Sequence, residues 1–393
     1  MVSCDVLIVG AGPAGSSCAW QLRTSELDVV ILDKQTFPRD KVCGGWITPQ
    51  LIQELQIDLE DYARGRVLQP ITGFRTSRMG DPEVTASYGK PVSYGIRRYE
   101  FDNYLLRRCG ARVLEGVPFQ RMERNDNSWL VNGHIKAKVV VGAGGHFCPV
   151  ARFLGAQVGK EVIVAAQEAE FEIDERQQAA CSIKPELPEL FFCADMRGYG
   201  WCFRKGNVLN VGLGRLDRHC LSQHVSHFLD FLRRTGKVGF EIPPSILGHA
   251  YLLYSKTTRK LVDDGILLIG DAAGLSYSQS GEGIRPAIES GLLAAKVMLD
   301  AAGDYSAGKL REYWELLQAR FGSTRGDWAT NIGRRLSPGL VSWIARQLLR
   351  TEWFARGVVM ERWFLHMSDP LLDLGLPTLQ PFATPSPAIP TAS

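Results

Sequence analysis

Two glycine-rich turns, near opposite ends of the chain, carry the residue types that hold a dinucleotide. The first is Gly10-Ala11-Gly12-Pro13-Ala14-Gly15. The second is Gly270-Asp271-Ala272-Ala273-Gly274, followed by Gly281-Glu282-Gly283-Ile284. In the first, Gly10 permits a tight turn, Gly12 lets the backbone approach a pyrophosphate, and Gly15 lets the next helix pack on the strand before it. A helix opening here aims its free N–H groups and positive dipole end at phosphate oxygens. An acid about 20 residues further on is expected on a ribose hydroxyl, and Asp33 stands there with Lys34 beside it. Gly10, Gly12, Pro13, Ala14, Gly15, Asp33 and Lys34 are therefore candidate cofactor contacts. One glycine fingerprint is weak evidence; two that can fold onto one flavin dinucleotide point to FAD.

Other residues could do chemistry beside it. Asp271 ends an apolar strand, where it could meet the cofactor or act as a helix N-cap. Gly270 sits in the same turn. Gly281, Gly283 and Ile284 would present backbone N–H groups at a helix start, stabilising negative charge on a flavin ring. Cys43, flanked by Gly44 and Gly45, could turn its thiol to a substrate or be a small buried apolar residue. A thiol of pKa about 8.5 is a poor acid for an alkene without strong positioning. Tyr199 and Trp201 alternate along a strand, so both point to one face, as a channel lining or as ordinary sheet core. Arg98 could reach the cofactor or lie on the surface at a helix start. Arg39 and Lys41 could neutralise pyrophosphate or solvate a loop. No histidine, His249 included, is assigned a role.

The elements that must position these residues follow from periodicity. Asp5–Val9, Val29–Leu32 and Ile266–Ile269 read as buried parallel strands. Ile135 to Val141 is another, ending in a third glycine turn, Gly142-Ala143-Gly144-Gly145. Strands are expected within 66–96 and at 113–114, 162–172, 190–195, 200–204 and 207–213. Helices are expected at 14–23, near 49–56, at 98–110, 221–234 and 283–300, and throughout 308–368. The fold class is α/β. Residues 1–65, 97–160 and 250–305 would form an FAD-binding Rossmann-type domain. Residues 66–96 and 161–249 would form an inserted, mostly antiparallel β-sheet substrate domain. A helical C-terminal region would span 306–376, and 377–393, rich in Pro, Thr, Ser and Ala, would be a disordered tail.

At 393 residues the chain can bury a large core, and a net charge of +3 gives no reason to expect nucleic acid as a partner. Its nine cysteines are dispersed with no C-x-x-C pair, which argues against a metal ribbon and for a reducing, cytoplasmic setting. No apolar run is long enough for a transmembrane helix. Five of the nine tryptophans (Trp314, Trp328, Trp343, Trp353, Trp363) lie near the C-terminus among Arg334, Arg335, Arg346, Arg350, Arg356 and Arg362. That pattern suits helices with a solvated basic face packed on the sheet, or peripheral membrane contact.

The motif order resembles that of flavoproteins sharing the p-hydroxybenzoate hydroxylase fold, and within it the chain is most similar to the geranylgeranyl reductase family. Lys41-Val42-Cys43-Gly44-Gly45, Tyr199-Gly200-Trp201-Cys202-Phe203 and the Gly270 to Ala295 stretch carry this, with the Gly10 turn. Two departures stand out: Arg204 replaces the family's proline, and Ala143-Gly144-Gly145 replaces Ala-Asp-Gly. The resemblance implies a flavoprotein oxidoreductase that reduces carbon–carbon double bonds of a hydrophobic, isoprenoid substrate by hydride transfer from reduced flavin. NAD(P)H would visit as a transient electron donor. Arg98 would reach the cofactor, and Cys43, Tyr199 and Trp201 would be the catalytic candidates. Two rivals are a flavin-dependent monooxygenase or halogenase on the same fold and a flavin redox sensor. A halogenase would use a lysine of the inserted sheet, where the sequence offers only Arg75 and the more distant Lys90.

Overall fold

The computed structural model describes residues 1–217, 220–322 and 338–374. Trp328, Arg334, Arg335 and the tail 377–393 lie outside the described residues. An eight-stranded sheet holds β1 (Val2–Val9), β2 (Val29–Leu32), β8 (Arg112–Leu114), β9 (Met122–Asn125), β10 (Ser128–Val131), β11 (Ile135–Gly142), β17 (Val262–Asp263) and β18 (Ile266–Leu268). Its order is β17-β18-β11-β1-β2-β8, with the β9–β10 hairpin set against β11. β18, β11, β1, β2 and β8 run parallel. Parallel strands are covered on both faces and must be apolar throughout. Val6 to Ile8, Val139 to Val141 and Ile266 to Leu268 accordingly show no exposed surface.

The helix Pro13–Leu22 carries the chain from β1 to β2 and packs on the helix Ile284–Asp300. Their backbones touch at Gly291, where a Cβ would collide with the Ala14 carbonyl oxygen and lie 3.1 Å from the Cys18 nitrogen. Small residues here bring the two glycine turns of the sequence together.

A seven-stranded sheet holds β5 (Gly73–Arg78), β6 (Val84–Ser87), β12 (Ile163–Glu172), β13 (Glu189–Phe192), β14 (Gly198–Lys205), β15 (Val208–Arg215) and β16 (Leu247–Leu252). Its order is β16-β12-β15-β14-β13-β5-β6, antiparallel apart from the β13–β5 pair. One face is covered by the helix Leu221–Arg234 through Val225, Phe228 and Leu232. The other bears two cross-strand rows: Tyr199, Gly214, Ala166, His249, and Trp201, Gly212, Glu168, Leu247. Such rows set side chains edge to edge across a sheet.

The stretch 66–96 divides between two sheets. β5 and β6 join the large one, while β4 (Gln69–Ile71) and β7 (Ser93–Gly95) pair with β3 (Trp46–Ile47). Gly45 turns the chain through φ +67°, which lays Trp46 beside Gly95. The β9–β10 hairpin and β16 were not among the expected strands.

The C-terminal region contains the helices Ala307–Phe321 and Pro338–Leu349 and the π-helix Phe354–Phe364. Arg285 and Arg320 clamp the buried Glu289 between them, Nε to Oε1 at 2.6 Å and Nε to Oε2 at 2.8 Å. The same two arginines donate to the carbonyls of His366 (3.2 Å) and Pro370 (2.7 Å). This ties the end of the chain to the first half of the Ile284–Asp300 helix.

Candidate active site

Between the parallel sheet and the aromatic face of the seven-stranded sheet lies a cleft of about 970 Å³. That volume is at the upper end of small-molecule sites. Gly10, Gly12, Pro13, Ala14, Asp33, Lys34, Arg39, Cys43, Gly44 and Arg98 line it from the N-terminal half. Tyr199, Trp201, Asp271, Gly281, Gly283 and Ile284 line it from the remainder. Gly15 and Gly270 do not reach the cleft. A Cβ on Gly15 would collide with the Gly10 carbonyl oxygen, and one on Gly270 (φ +59°) would lie 2.9 Å from the Ala14 Cβ. Both shape the turns from behind.

At one end the Pro13–Leu22 helix opens on the cleft with no side chain capping it. Its first-turn N–H groups form an anion site. Asp33 bridges two backbone donors, Ala11 N–H at 2.7 Å and Gln35 N–H at 2.8 Å. Arg39 Nη2 sits 3.4 Å from where a Gly12 Cβ would stand, which sets the guanidinium at the helix start. Arg39 also pairs with Asp102 at 3.1 Å. Arg98 is buried, not at the surface, and grips Asp102 twice, at 2.6 and 2.8 Å. Burial alone would weaken its charge, but the Asp102 carboxylate raises the guanidinium above its ordinary value.

Asp271 does not cap a helix. Its Oδ2 lies 3.4 Å from His249 Nε2, and its Oδ1 accepts the Ser276 hydroxyl at 3.4 Å. Burial opposes ionisation, yet the His249 hydrogen bond and the Lys41 charge hold the carboxyl well below its usual range. Lys41 reaches both His249 ring nitrogens at 3.1 and 3.0 Å. Burial, reinforced by Arg98 and Arg39, brings the ammonium down to about 8, with Asp271 resisting. Burial and Lys41 also lower His249. Of the Lys41–His249–Asp271 line, His249 is the member that sequence reasoning missed. His249 lies on β16, whose Leu-Gly-His-Ala-Tyr-Leu has no clean alternation to mark its inner face.

Gly281, Gly283 and Ile284 stand at the start of the Ile284–Asp300 helix, but not all are donors. The Gly281 N–H is already given to the Tyr277 carbonyl at 2.8 Å, because the 277–281 loop closes on itself with Gly281 at φ +70°. The Ile284 N–H goes to the Glu282 carboxyl, which leaves Gly283, the N-cap. A dinucleotide fits this donor set. An open helix N-terminus and guanidinium charge suit its diphosphate, and a second helix start suits an electron-rich ring.

The aromatic wall is set by the sheet rows. Tyr199 and Trp201 face the cleft with ring centroids 6.1 Å apart, and Phe364 of the π-helix closes on Tyr199 at 5.3 Å. Tyr199 gives its hydroxyl to the Ser280 carbonyl at 2.5 Å. Trp201 donates to Asn210 Oδ1 at 2.6 Å, and Asn210 donates to the Cys43 carbonyl at 3.1 Å. The Cys43 N–H goes to Glu168 at 2.6 Å. The cysteine loop is thus pinned to the sheet through its backbone, while its thiol meets the Arg98 guanidinium. Burial, opposed by Arg98, raises that thiol above its ordinary value. Glu168, almost wholly buried, is pushed up to about 7 by burial. Ala166 lines the cleft beside these rings, and a Cβ on Gly214 would stand 3.6 Å from its Cβ and 3.8 Å from Trp201.

Comparison with known proteins fits this arrangement. A family model described as FAD dependent oxidoreductase matches residues 5–79. The chain is 26% identical over 346 residues to digeranylgeranylglycerophospholipid reductase 2 of Methanosphaera stadtmanae, covering 82% of this chain and 85% of that protein. It is 30% identical over 363 residues to menaquinone reductase of Mycobacterium tuberculosis, covering 85% and 83%. The chain belongs to the geranylgeranyl reductase-like family of FAD-dependent oxidoreductases. As a member of that family it is an FAD-dependent enzyme. Its fold is shared with a geranylgeranyl bacteriochlorophyll reductase-like protein from Thermoplasma acidophilum (TM-score 0.70, 22% identity, 89% of this chain and 88% of that one). An FAD complex of the halogenase PltM is a more distant structural likeness (TM-score 0.63, 18% identity, covering 86% and 75%).

Proposed function

We propose that this protein reduces carbon–carbon double bonds of a hydrophobic substrate of the isoprenoid or quinone class. The observation that carries the reading is the aromatic wall of Tyr199 and Trp201, with Ala166 beside it, which lines the same cleft as the Cys43–Gly44 loop and the Gly283–Ile284 helix start. The activities named for its relatives, on menaquinone and on digeranylgeranylglycerophospholipid, belong to the same substrate class.

FAD supplies two-electron hydride chemistry when bound. The chain's own residues do the rest. The Gly10–Gly15 turn and Arg39 would hold diphosphate, Asp33 and Lys34 would hold the ribose, and Arg98 fixes the electrostatics beneath the Cys43 loop. An isolated alkene is unpolarised and accepts hydride only as protonation builds positive charge on carbon. The Tyr199 and Trp201 faces stabilise that charge by on the order of 1–2 kcal/mol in a dry site. The dry, aromatic wall also keeps water from capturing the cationic carbon. NAD(P)H is the proposed transient donor of electrons.

The substrate is drawn from a membrane surface in this reading. Trp343 (59% exposed) and Trp353 (71% exposed) project from the C-terminal helices, with Arg350 and Arg362 exposed nearby. Tryptophan with arginine on such helices suits the lipid interface. Arg346 is otherwise engaged, gripping Asp81 at 2.6 Å. Among the described residues no helix is long and apolar enough to cross a membrane. Flotation with anionic liposomes tests this. Binding that Trp343→Ser with Trp353→Ser abolishes supports it, and no flotation of the parent protein discards it.

The function is tested without oxygen. Dithionite-reduced protein is mixed with a geranylgeranyl lipid or a prenylated quinone. Flavin reoxidation with a product heavier by two hydrogens supports the reading. Reoxidation only on admitting oxygen favours a monooxygenase or halogenase, and no substrate-linked change of any kind favours a redox sensor.

A further inference from the structure

Behind the loop that carries Gly281 and Gly283 is a second, much smaller cavity of about 10 Å³. That is the space of about one water molecule. Four buried polar atoms of residues lining it have no hydrogen-bond partner among the described residues: Trp46 Nε1, Thr48 Oγ1, Arg285 Nη2 and His366 Nε2. A buried water needs two to four such partners. Glu282 lines this chamber and the large cleft alike. On the far side, His366 Nδ1 faces the partly exposed Asp369 at 3.4 Å.

We propose that Glu282 delivers the proton of the reduction into the cleft, and that the chamber and His366 are the path by which it is refilled from solvent. This rests on the reductive function proposed above and names the acid that reading still lacks. Cys43 is poorly suited to the task, its thiol being a weak acid made weaker by burial. In the step, the Glu282 O–H bond breaks and a C–H bond forms on the substrate carbon. The two electrons arrive with the hydride of the same reduction. The carboxylate left behind takes a proton from the chamber, which His366 passes inward from the Asp369 side.

The surroundings favour a proton-bearing carboxyl. Burial raises Glu282 above the ordinary carboxylate range, while the Arg285 N–H at 2.9 Å, His366, the Arg285 charge and the Ile284 N–H pull it back. That guanidinium is itself compensated by Glu289 at 2.6 Å. The other titratable groups facing it are neutral phenols: Tyr199, and Tyr277, which stacks on His366 at 3.6 Å.

The experiment compares FAD-loaded wild-type protein with Glu282→Gln and His366→Asn. Glu282→Gln keeps the acceptor for the Arg285 N–H, and an unchanged flavin content certifies its fold. Infrared spectroscopy at about pH 7 should show a neutral carboxylic acid band that Glu282→Gln lacks. Its hydrogen–deuterium exchange should be at least tenfold slower in His366→Asn. Turnover of Glu282→Gln should fall by about 10²-fold or more, the ordinary worth of a general acid. An absent band, exchange unaffected by His366→Asn, or Glu282→Gln turnover within twofold of wild type would overturn the proposal. If the wild type reduces no isoprenoid or quinone substrate, the functional reading fails, and the infrared band still decides whether Glu282 carries the proton.

Discussion

Arg98 and Asp102 form a buried, two-pronged ion pair one helical turn apart, at 2.6 and 2.8 Å, directly beneath the Cys43 loop. Asp102 has no exposed surface, and Arg39 leans on it from the cleft side. Removing one partner of such a pair strands the other's charge in the interior, at a cost of roughly 3–5 kcal/mol. Asp102→Ala is therefore expected to unfold at markedly lower denaturant and to be purified with little FAD. Asp102→Asn should lie between it and the wild type. Urea unfolding and the flavin-to-protein absorbance ratio check both.

Glu168 predicts the sign of a pH effect. Its carboxyl rises from an ordinary value near 4.5 to about 7 in the folded protein. The folded state thus holds the proton more tightly than the unfolded one. The stability it contributes is complete below about pH 4.5 and is lost as pH rises through 7, by roughly 3 kcal/mol in all. Glu168→Gln should gain on wild type by that order between pH 4.5 and 8, measured by denaturant unfolding at each pH.

Gly15 separates packing from contact, because it lies outside the cleft. Gly15→Ala should cost about 1–3 kcal/mol by overpacking against the Gly10 carbonyl. It should also lower FAD affinity by displacing the turn. Fluorescence titration of apoprotein with FAD reads the second effect, and an affinity equal to wild type would contradict the account.

Trp201 joins two roles that two variants can part. Trp201→Phe keeps a ring in the wall but orphans the buried Asn210 oxygen, at a cost of about 1–3 kcal/mol of stability. Trp201→Ala removes the face as well. If that face stabilises positive charge, turnover falls a further 5- to 30-fold or so, the kinetic equivalent of about 1–2 kcal/mol. Equal turnover by the two variants would remove the ring from the mechanism.

The cofactor half of the site was legible in the sequence because glycine at Gly10, Gly15 and Gly270 answers local demands that nothing else meets. Each either adopts a positive φ or lies against another backbone or side chain. Asp33 and Asp271 follow at strand ends, where the chain has little choice of direction. Several buried titratable residues around the site were not legible. Glu168 looks like any charged residue on a half-exposed strand until Trp201 is laid over Gly212 against it. His249 and His366 gain meaning only from Asp271, Lys41 and Tyr277, far off in sequence. The Asn125-Asp126-Asn127 turn does signal the β9–β10 hairpin, with Asp126 at φ +51°. The split of 66–96 between two sheets rests on Trp46, which no pattern within 66–96 reveals.

The cleft is walled by residues from both ends of the chain, from Gly10 to Ile284, with Phe364 against Tyr199. A ligand held there bolts together segments far apart in sequence, and it has no comparable grip on the unfolded chain. At a free flavin level 100-fold above its dissociation constant, the bolt adds about 2.7 kcal/mol to stability. The lifetime of this protein in a cell would then track the flavin supply, with starved apoprotein falling first to proteases.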